Sequence, residues 1–379
     1  LVMVYSTSYY SAQLKLGDGA YYMKRQAEFM VIGILLMLWV ATRDYHAWAR
    51  LWFLGWGVSI ILMILVNFTS FGIDFNGKKR WLGFNGHAIF QPTEFVKVAM
   101  ILVTAVLISK MNRYLGTMRS IRMIFYFAIL PVGLVAMNNL SSGIIIAGIV
   151  VGMYLVATRE KWSVWLLTGV ISVAVLVAKF GTGLLLSLPF LHQYQLSRIL
   201  VWNHPEAYPQ SGGFQVLQGL YAIGSGGLFG KGLGNSVQKL GFVPEAQNDM
   251  IFSIICEELG LFGAVCVILL FLFMLYRFMV IANNAPDLLG SMMVIGVMAQ
   301  IALQVFLNIA VVTNFIPNTG VSLPFISYGG TALLVLLGEM GIVLGVSRQI
   351  QFEAEEEEGA VEEESEPAAQ IRSIPSAGR

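Results

Sequence analysis

Charged residues are scarce in this chain of 379 residues. Asp, Glu, Lys and Arg make up 12% of it, whereas soluble domains carry ~25%. Hydrophobic residues make up 57%, and the mean hydropathy is +0.73. The shortage of charge excludes a soluble globular protein, and the high hydrophobicity excludes intrinsic disorder for the bulk of the chain. The composition therefore predicts a protein with several membrane spans.

Cysteine and histidine are also rare. Cys256 and Cys266 lie in one apolar run, and on a helix they would be ~15 Å apart, too far for a disulfide. The four histidines show no metal-ligand spacing; they are His46, His87, His192 and His204. No disulfide, zinc site, Ser-His-Asp triad or Cys-His pair is expected, so covalent acyl chemistry has little support.

The apolar runs predict an all-α polytopic membrane protein with ten spans. Residues 1–10 are interpreted as the end of a first helix that is truncated at its N-terminus. The other predicted spans are 26–43, 50–68, 92–110, 121–139, 141–158, 162–180, 249–277, 288–312 and 324–347. A long, more polar segment at 181–248 precedes the eighth span and is predicted to be a large extracytoplasmic loop.

Positive charge sets the predicted orientation, because short cytoplasmic loops are rich in Lys and Arg. With the C-terminus inside, the inner loops hold Arg43, Arg50, Lys110, Arg113, Arg119, Arg122, Arg159, Lys161, Arg277 and Arg348. This orientation places both termini in the cytoplasm and the loops at 69–91 and 181–248 outside.

The C-terminal segment differs in composition from the rest of the chain. Residues 351–379 hold nine Glu and two Arg, which leaves 21 basic and 13 acidic residues and a net charge of +8 for the remainder. We expect a membrane domain at 1–349 and a disordered acidic cytoplasmic tail at 350–379. The tail is interpreted as a solvated segment, with binding of a partner as the alternative.

Glu94 and Lys97 are ionisable residues inside a predicted span, which marks them as candidates for a functional site. They follow Pro92 and are three residues apart, so both side chains lie on one helix face. One reading is a buried pair that fixes helix packing. The other is a charged element that lines a cavity for substrate.

Asp249 stands where the long outer loop meets an apolar run. Capping of the following helix is one explanation, although Asn248 can serve that role. The other explanation is a partly desolvated carboxylate at the membrane boundary, whose pKa is raised toward that of a useful base. Glu245, four residues earlier, is the competing carboxylate.

The predicted outer loops supply cations, an aromatic residue and glycines. Lys78, Lys79, Arg80 and Trp81 form a compact basic and aromatic cluster. The stretch at 211–242 is rich in glycine, which lets backbone N–H groups approach phosphate oxygens, but it lacks the P-loop spacing. A flexible loop without chemistry is the alternative. Further candidates for substrate binding are Arg198, Lys231, Lys239 and Ser327.

Three long motifs resemble those of one bacterial family. They are RWLGFNG…FQPTEFVK at 80–97, AIGSGGLFGKGLGNSVQKLGFVPEAQNDMIFSIICEELGLFGA at 222–264, and NTGVSLPFISYGGTALL at 318–334. Their order and spacing resemble the SEDS family of shape, elongation, division and sporulation proteins, represented by FtsW and RodA, over residues 1–348. The stretch GLGNSVQKLGF resembles the FtsW and sporulation branch more closely than the RodA branch.

The resemblance implies a peptidoglycan glycosyltransferase with ten transmembrane helices that polymerises lipid II on the outer face of the cytoplasmic membrane. The family's essential acid falls on Asp249, its loop tryptophan on Trp81, and its intramembrane pair on Glu94 and Lys97. Asp249 would then be the general base of an inverting transfer, in cell division or related wall synthesis. The outer cations Lys78, Lys79, Arg80, Arg198, Lys231 and Lys239 would stabilise the pyrophosphate leaving group.

The same resemblance implies partners and a location. The substrate would be lipid II, and the partner a class B penicillin-binding protein, together with other divisome or elongasome membrane proteins; no nucleic acid is expected. A divalent cation, Mg or Mn, is compatible with the pyrophosphate, but no ligand cluster requires one. Alternatives from other classes are a lipid II flippase, which would depend on Glu94 and Lys97, and a scaffold that recruits a transpeptidase.

Overall fold

In the part of the chain that the structure describes, the fold is a bundle of helices with one small sheet. This computed structural model describes residues 1–75, 78–84, 87–158 and 193–350. Its α-helices are α1 (Val2–Leu16), α2 (Tyr21–Ala41), α3 (Tyr45–Arg50), α4 (Trp52–Phe68), α5 (Pro92–Lys110), α6 (Met118–Asn138), α7 (Leu140–Thr158), α8 (Gln193–Asn203), α9 (Phe214–Gly226), α10 (Ile251–Asn283), α11 (Leu288–Val312) and α12 (Gly330–Arg348).

Six of the described helices are long and apolar enough to cross a membrane. They are α5, α6, α7, α10, α11 and α12, and the shorter α4 is also apolar. Most predicted spans therefore coincide with observed helices. The last one begins later than predicted, at Gly330, because Pro324 lies in a turn before it. The predicted span at 162–180 and the acidic tail lie outside the described residues.

Helix α5 is the centre of the bundle. It packs against α4, α6, α7, α11 and α12, and most of its residues are buried. Pro92 occupies its first turn, where the missing N–H costs no hydrogen bond. The helix thus carries Glu94 and Lys97 into the interior.

The loop predicted at 69–91 contains a three-stranded antiparallel sheet, so the purely all-α prediction was wrong at this point. Its strands are β1 (Gly72–Phe75), β2 (Lys78–Phe84) and β3 (His87–Phe90), in that order. Bulges interrupt the register beside Ile73 and beside Leu82. The sheet covers the ends of α4, α5 and α6 through β2.

The glycine-rich segment also has more structure than predicted. Its first part forms α9, which packs along α10. Helix α10 is broken at Gly260, whose backbone is left-handed, with φ 69°. There the amides of Lys231 and Gly232 donate to the carbonyls of Glu257 and Glu258, at 2.9 and 3.0 Å. The glycine-rich segment therefore supplies hydrogen-bond donors to the carbonyl groups that the break in the helix leaves unpaired.

Candidate active site

Asp249 lies in the turn two residues before α10. The N-cap of that helix is Met250, and no side chain caps it. The capping explanation for Asp249 was therefore wrong. The residue is half-buried as a whole, but its Oδ1 atom is buried without a hydrogen-bond partner. A buried carboxylate oxygen without a donor is costly, which is typical of a functional position.

The surroundings of Asp249 raise the pKa of its carboxyl toward neutral pH. Desolvation and the negative charge of Glu245 raise its pKa to about 7, against the opposing effects of Arg198 and of a hydrogen bond from Gln215. The carboxylate is therefore a usable base at and above neutral pH. Because these groups come from α8, α9 and the turn, three separate segments tune it.

Arg198 also connects the segments around Asp249. Its guanidinium donates to the carbonyl oxygen of Asn318 at 2.7 Å, and the Asn318 amide donates to Gln215 at 3.2 Å. A side chain at Gly320, where φ is +68°, would reach the Asp249 carboxylate. Arg198 therefore lies close enough to Asp249 for its charge to lower the pKa of that carboxyl, and its contact with substrate stays a prediction.

Glu245, the competing carboxylate, is exposed. Its backbone is left-handed, with φ 55°, which costs energy in a residue other than glycine. Its carboxylate accepts a short hydrogen bond from the side chain of Asn248. Glu245 therefore faces solvent next to Asp249 and acts on it by charge.

The segment 321–328 is hydrogen-bonded to the turn that contains Asp249. The Ser327 hydroxyl donates to the Asn248 carbonyl at 2.7 Å and accepts from the amide of Leu323 at 2.8 Å. The Tyr328 amide donates to Gln247 at 2.9 Å. Both hydrogen bonds of the Ser327 hydroxyl therefore go to the protein itself. The predicted binding of substrate by Ser327 stays a prediction.

Glu94 and Lys97 form a buried ion pair of 2.7 Å. Their exposed fractions are 8% and 2%, so the pairing compensates for charge that is out of water. Glu94 lines a cavity of about 20 Å³ that Gln304, Ser327 and Tyr328 also line. The packing and cavity-lining interpretations are therefore both compatible with its position.

The cations predicted on β2 lie on the sheet. The Lys79 ammonium donates to the carbonyl of Thr69 at 3.3 Å. Arg80 and Trp81 are half-buried, and the Nε of Arg80 is buried without a partner. The sheet therefore presents these residues at the ends of α4, α5 and α6, and their role toward substrate stays a prediction.

Lys231 and Lys239 are bound to carboxylates of α10. Lys231 pairs with Glu257 at 2.7 Å, and Lys239 pairs with Glu258 at 2.7 Å. The hydroxyl of Ser6 on α1 donates to Glu258 as well, at 2.7 Å. These pairs neutralise both cations and fasten the glycine-rich segment, which is not the flexible loop of the alternative interpretation. Their predicted contact with substrate remains untested.

Metal ligands do not cluster in the described ranges. No group of three or more His, Cys, Asp or Glu residues stands there in a position to hold a metal ion. Among the described residues, the carboxylate that acts on Asp249 is Glu245. The site geometry accounts for a base and a cation without assigning a metal.

Sequence reasoning missed several residues near the site. Gln215 and Asn308 were not predicted there, and neither were the partners of Lys231 and Lys239. The signal for Asn308 was present in the spacing of Gln300, Gln304 and Asn308, which recur every four residues and so lie on one face of α11. Gln215 is one of several polar residues in the glycine-rich stretch, with Gln218 three residues later, and nothing in the sequence distinguishes it from them.

Similar proteins were found across nearly the whole chain. The family model for FtsW, RodA and SpoVE, described as "Cell cycle protein", matches residues 1–351. "Stage V sporulation protein E" of Bacillus subtilis (strain 168) is 37% identical over 357 residues, 93% of this chain and 94% of that protein. "Probable peptidoglycan glycosyltransferase FtsW" of Trichlorobacter lovleyi is 34% identical, over 93% of this chain and 90% of that protein.

Solved structures share the fold. A structure described as "Structural coordination of polymerization and crosslinking by a peptidoglycan synthase complex" matches with a TM-score of 0.71 and 25% identity, over 92% of this chain and 95% of that one. The crystal structure of the Thermus thermophilus rod shape determining protein RodA matches with a TM-score of 0.61, over 93% of this chain and 95% of that one. Because its sequence is only 23% identical, this second match shows a shared fold and nothing more.

Proposed function

The chain belongs to the FtsW/RodA/SpoVE family, and from this premise we propose that it is a peptidoglycan glycosyltransferase that polymerises lipid II. Relatives named as peptidoglycan glycosyltransferases cover almost its full length. The observation that carries the proposal is the Asp249 carboxylate, buried at one oxygen and tuned to a pKa of about 7 beside Arg198. A base of this strength is what transfer to a sugar hydroxyl needs.

In the proposed reaction, a hydroxyl of the acceptor sugar attacks the anomeric carbon of the donor. The new bond forms between that oxygen and that carbon, while the bond from the carbon to the lipid pyrophosphate breaks. Asp249 takes the proton of the attacking hydroxyl. The pyrophosphate leaves with its electron pair, and a single displacement of this kind inverts the configuration at the anomeric carbon.

Positive charge would stabilise the departing pyrophosphate. Arg198 is the cation that supports this role best, because its positive charge lowers the pKa of Asp249. We propose Lys79 and Arg80, with Trp81, as further contacts with substrate from the sheet. Lys231 and Lys239 would contribute mainly through the segment that they hold in place, since each is paired with a glutamate of α10.

We also propose the finer features of topology and partnership. They are ten transmembrane helices, cytoplasmic termini, an extracytoplasmic Asp249, and a disordered acidic tail from residue 350. A class B penicillin-binding protein is the proposed transpeptidase partner. The solved complex that couples polymerisation and crosslinking supports this pairing.

The experiment compares lipid II polymerisation by wild type, Asp249→Asn and Glu245→Gln. Each protein is purified at full length with its transpeptidase partner and checked for folding by thermal unfolding. We expect Asp249→Asn to lose activity by ~10²- to 10⁴-fold and Glu245→Gln to retain polymerisation. Normal polymerisation by folded Asp249→Asn would remove Asp249 from the chemistry.

A lipid II flippase is the second candidate. The buried ion pair of Glu94 and Lys97 favours it, because charges within a helix bundle mark transport pathways. It predicts lipid II movement across vesicle membranes that depends on this pair and tolerates Asp249→Asn. The polymerisation assay and a flipping assay on the same variants separate the two functions.

A further inference from the structure

Asn308 connects the Asp249 turn to the helix bundle. It lies near the end of α11 and is 1% exposed. Its Nδ2 atom donates to the carbonyl oxygens of Asp249 and Val321, each at 2.7 Å. One amide group on a helix therefore holds two irregular segments at the same point.

The chemistry of this position calls for two donors. Both hydrogens of the Asn308 amide are used, and both acceptors are backbone carbonyls that face the bundle. An apolar residue of the same size would leave these two carbonyls without a donor, and an aspartate would place an acceptor against them. The side chain thus does more than fill space between helices.

Ser327 makes a second connection between the same two segments. Its hydroxyl joins the Asn248 carbonyl to the Leu323 amide. Phe325, two residues earlier, has a left-handed backbone with φ 62°. Such strain persists only where surrounding contacts impose it, and the hydrogen bond that the Leu323 amide donates to the Ser327 hydroxyl closes the strained turn.

We propose that Asn308 and Ser327, together the clamp, are positioning residues that hold Asp249 at the depth where it works as a base. This inference rests on the proposed function. The clamp acts through the backbone at 248 and 249, because its hydrogen bonds to the turn go to the carbonyl oxygens of Asn248 and Asp249. Without it the turn moves toward solvent, and the loss of desolvation weakens the base.

The charged and polar groups facing Asp249 define what such a movement changes. They are Glu245 in its own turn, Arg198 on α8 and Gln215 on α9. Burial has the largest effect on the carboxyl pKa, ahead of Glu245. An outward movement therefore lowers the pH at which activity is half lost, whereas a general loss of folded protein lowers the rate at every pH alike.

The first experiment measures the pH dependence of lipid II polymerisation by the complex with its transpeptidase partner. For Asn308→Ala we expect a rate ~10- to 100-fold lower and an acidic limb displaced to lower pH. The matched control is Asn67→Ala, an asparagine of α4 that donates to the Leu134 carbonyl at 2.9 Å. The control is expected to keep the rate and pH profile of wild type.

A second pair of variants keeps the test decisive if Asn308→Ala does not fold. Ser327→Ala removes the hydroxyl, and Ser327→Thr retains it. We expect Ser327→Ala to show a lower rate and a displaced acidic limb, and Ser327→Thr to restore both toward wild type. Equal behaviour of the two variants would overturn the clamp, as would a wild-type rate and profile in folded Asn308→Ala.

Hydrogen exchange gives a readout that needs no activity. Peptides covering 245–250 and 321–328 are expected to exchange faster in Asn308→Ala than in wild type, with Asn67→Ala as control. If wild type makes no glycan but these peptides exchange faster in Asn308→Ala than in wild type, the proposed function fails, whereas the structural role of the clamp is supported. Unchanged exchange in both peptides would overturn the clamp itself.

Discussion

At the scale of single residues, Asp249 links pH to stability with a defined sign. Its pKa is about 7 in the folded protein and close to its ordinary value when unfolded, so the folded state binds the proton more tightly. The stabilising contribution of the protonated group is complete at acidic pH and is lost as pH rises through 7. Each pKa unit corresponds to ~1.4 kcal/mol.

Asp249→Asn is therefore expected to stabilise the fold, and more so at pH 8 than at pH 5, because it removes a carboxylate that must ionise while partly buried. Thermal unfolding of the two proteins at both pH values measures this. The loss of activity and the gain of stability would then occur in one variant, as expected for a functional residue. If the stability difference between Asp249→Asn and wild type does not vary with pH, the raised pKa of Asp249 in the folded protein would be contradicted.

Glu245 gives a second pH prediction. Its negative charge raises the pKa of Asp249, so Glu245→Gln should move the acidic limb of the polymerisation profile to lower pH. The maximum rate above pH 8 should change less than the limb, since Asp249 remains. Rates between pH 5 and 9 test this, and an upward displacement of the limb would be inconsistent with the charge effect.

The ion pair of Glu94 and Lys97 predicts non-additive substitutions. Lys97→Met leaves a buried carboxylate without its partner, which is expected to cost ~3–5 kcal/mol. The double variant Glu94→Gln with Lys97→Met should lose less than Lys97→Met alone. Unfolding free energies of the single and double variants measure the coupling, and simple additivity would mean that the pair is not energetically coupled.

At the scale of elements, the break in α10 depends on two glycines in close contact. A Cβ on Gly260 would lie 2.3 Å from the Gly230 nitrogen, and one on Gly230 would lie 2.2 Å from the Glu258 carbonyl oxygen. Both glycines have positive φ. Neither position accepts alanine without moving backbone.

We expect Gly260→Ala to lower the thermal stability of the protein markedly and to release the segment that Lys231 and Lys239 hold. Gly133→Ala in α6 is the control, because a Cβ there meets nothing within 4 Å. That control should be neutral or stabilising by ~1 kcal/mol, the helix preference of alanine over glycine. Thermal unfolding of both variants measures the contrast, and equal stability would show that the break is tolerant.

Helices formed by long, continuous apolar runs were predictable from the sequence. The helices α4, α5, α6, α7, α10 and α11 match continuous apolar runs, since a span must be apolar along its length. The sheet at 72–90 was not predicted, because its strands are short and broken by bulges. The break at Gly260 was also missed, because a glycine in an apolar run does not reveal that another segment packs there.

At the scale of the whole molecule, the site depends on contacts between residues distant in sequence. The Asp249 assignment came from its boundary position and from the family motif, and both lie in a short window. Its surroundings do not: Arg198, Gln215 and Asn308 reach it from three helices. Their convergence is a property of tertiary packing, which a single sequence does not encode in a readable pattern.

A polar cluster joins three segments that are distant in sequence. It lies at the end of the bundle where α12 ends. His46 lies 2.8 Å from Asp44 and 2.9 Å from Asp287, and Gln349 donates to Asp44 at 3.4 Å. Desolvation lowers the pKa of His46, but the two carboxylates raise it more, so the net direction is upward. The stabilisation is complete below the ordinary histidine pKa and is lost as pH rises through the raised value.

His46→Gln is accordingly expected to reduce the difference in thermal stability between pH 6 and pH 9. The variant keeps a polar side chain of similar reach but does not become charged. Thermal unfolding at the two pH values measures the effect, with Asn67→Ala as a control that carries no titratable group. A difference as large as that of wild type would assign the pH dependence to other groups.

The orientation of the molecule yields the last prediction. The excess of Lys and Arg in short loops predicts that Arg113 faces the cytoplasm, whereas the exposed Asn235 lies in the segment predicted to face outward. To test this, Cys256 and Cys266 are replaced by alanine, and a single cysteine is placed at 235 or at 113. In intact cells a membrane-impermeant maleimide should label the cysteine at 235 and not the one at 113, and after lysis it should label both. The reverse pattern would place Asp249 in the cytoplasm, where no wall polymer is made, and would refute polymerisation at this site even if the catalytic geometry were sound.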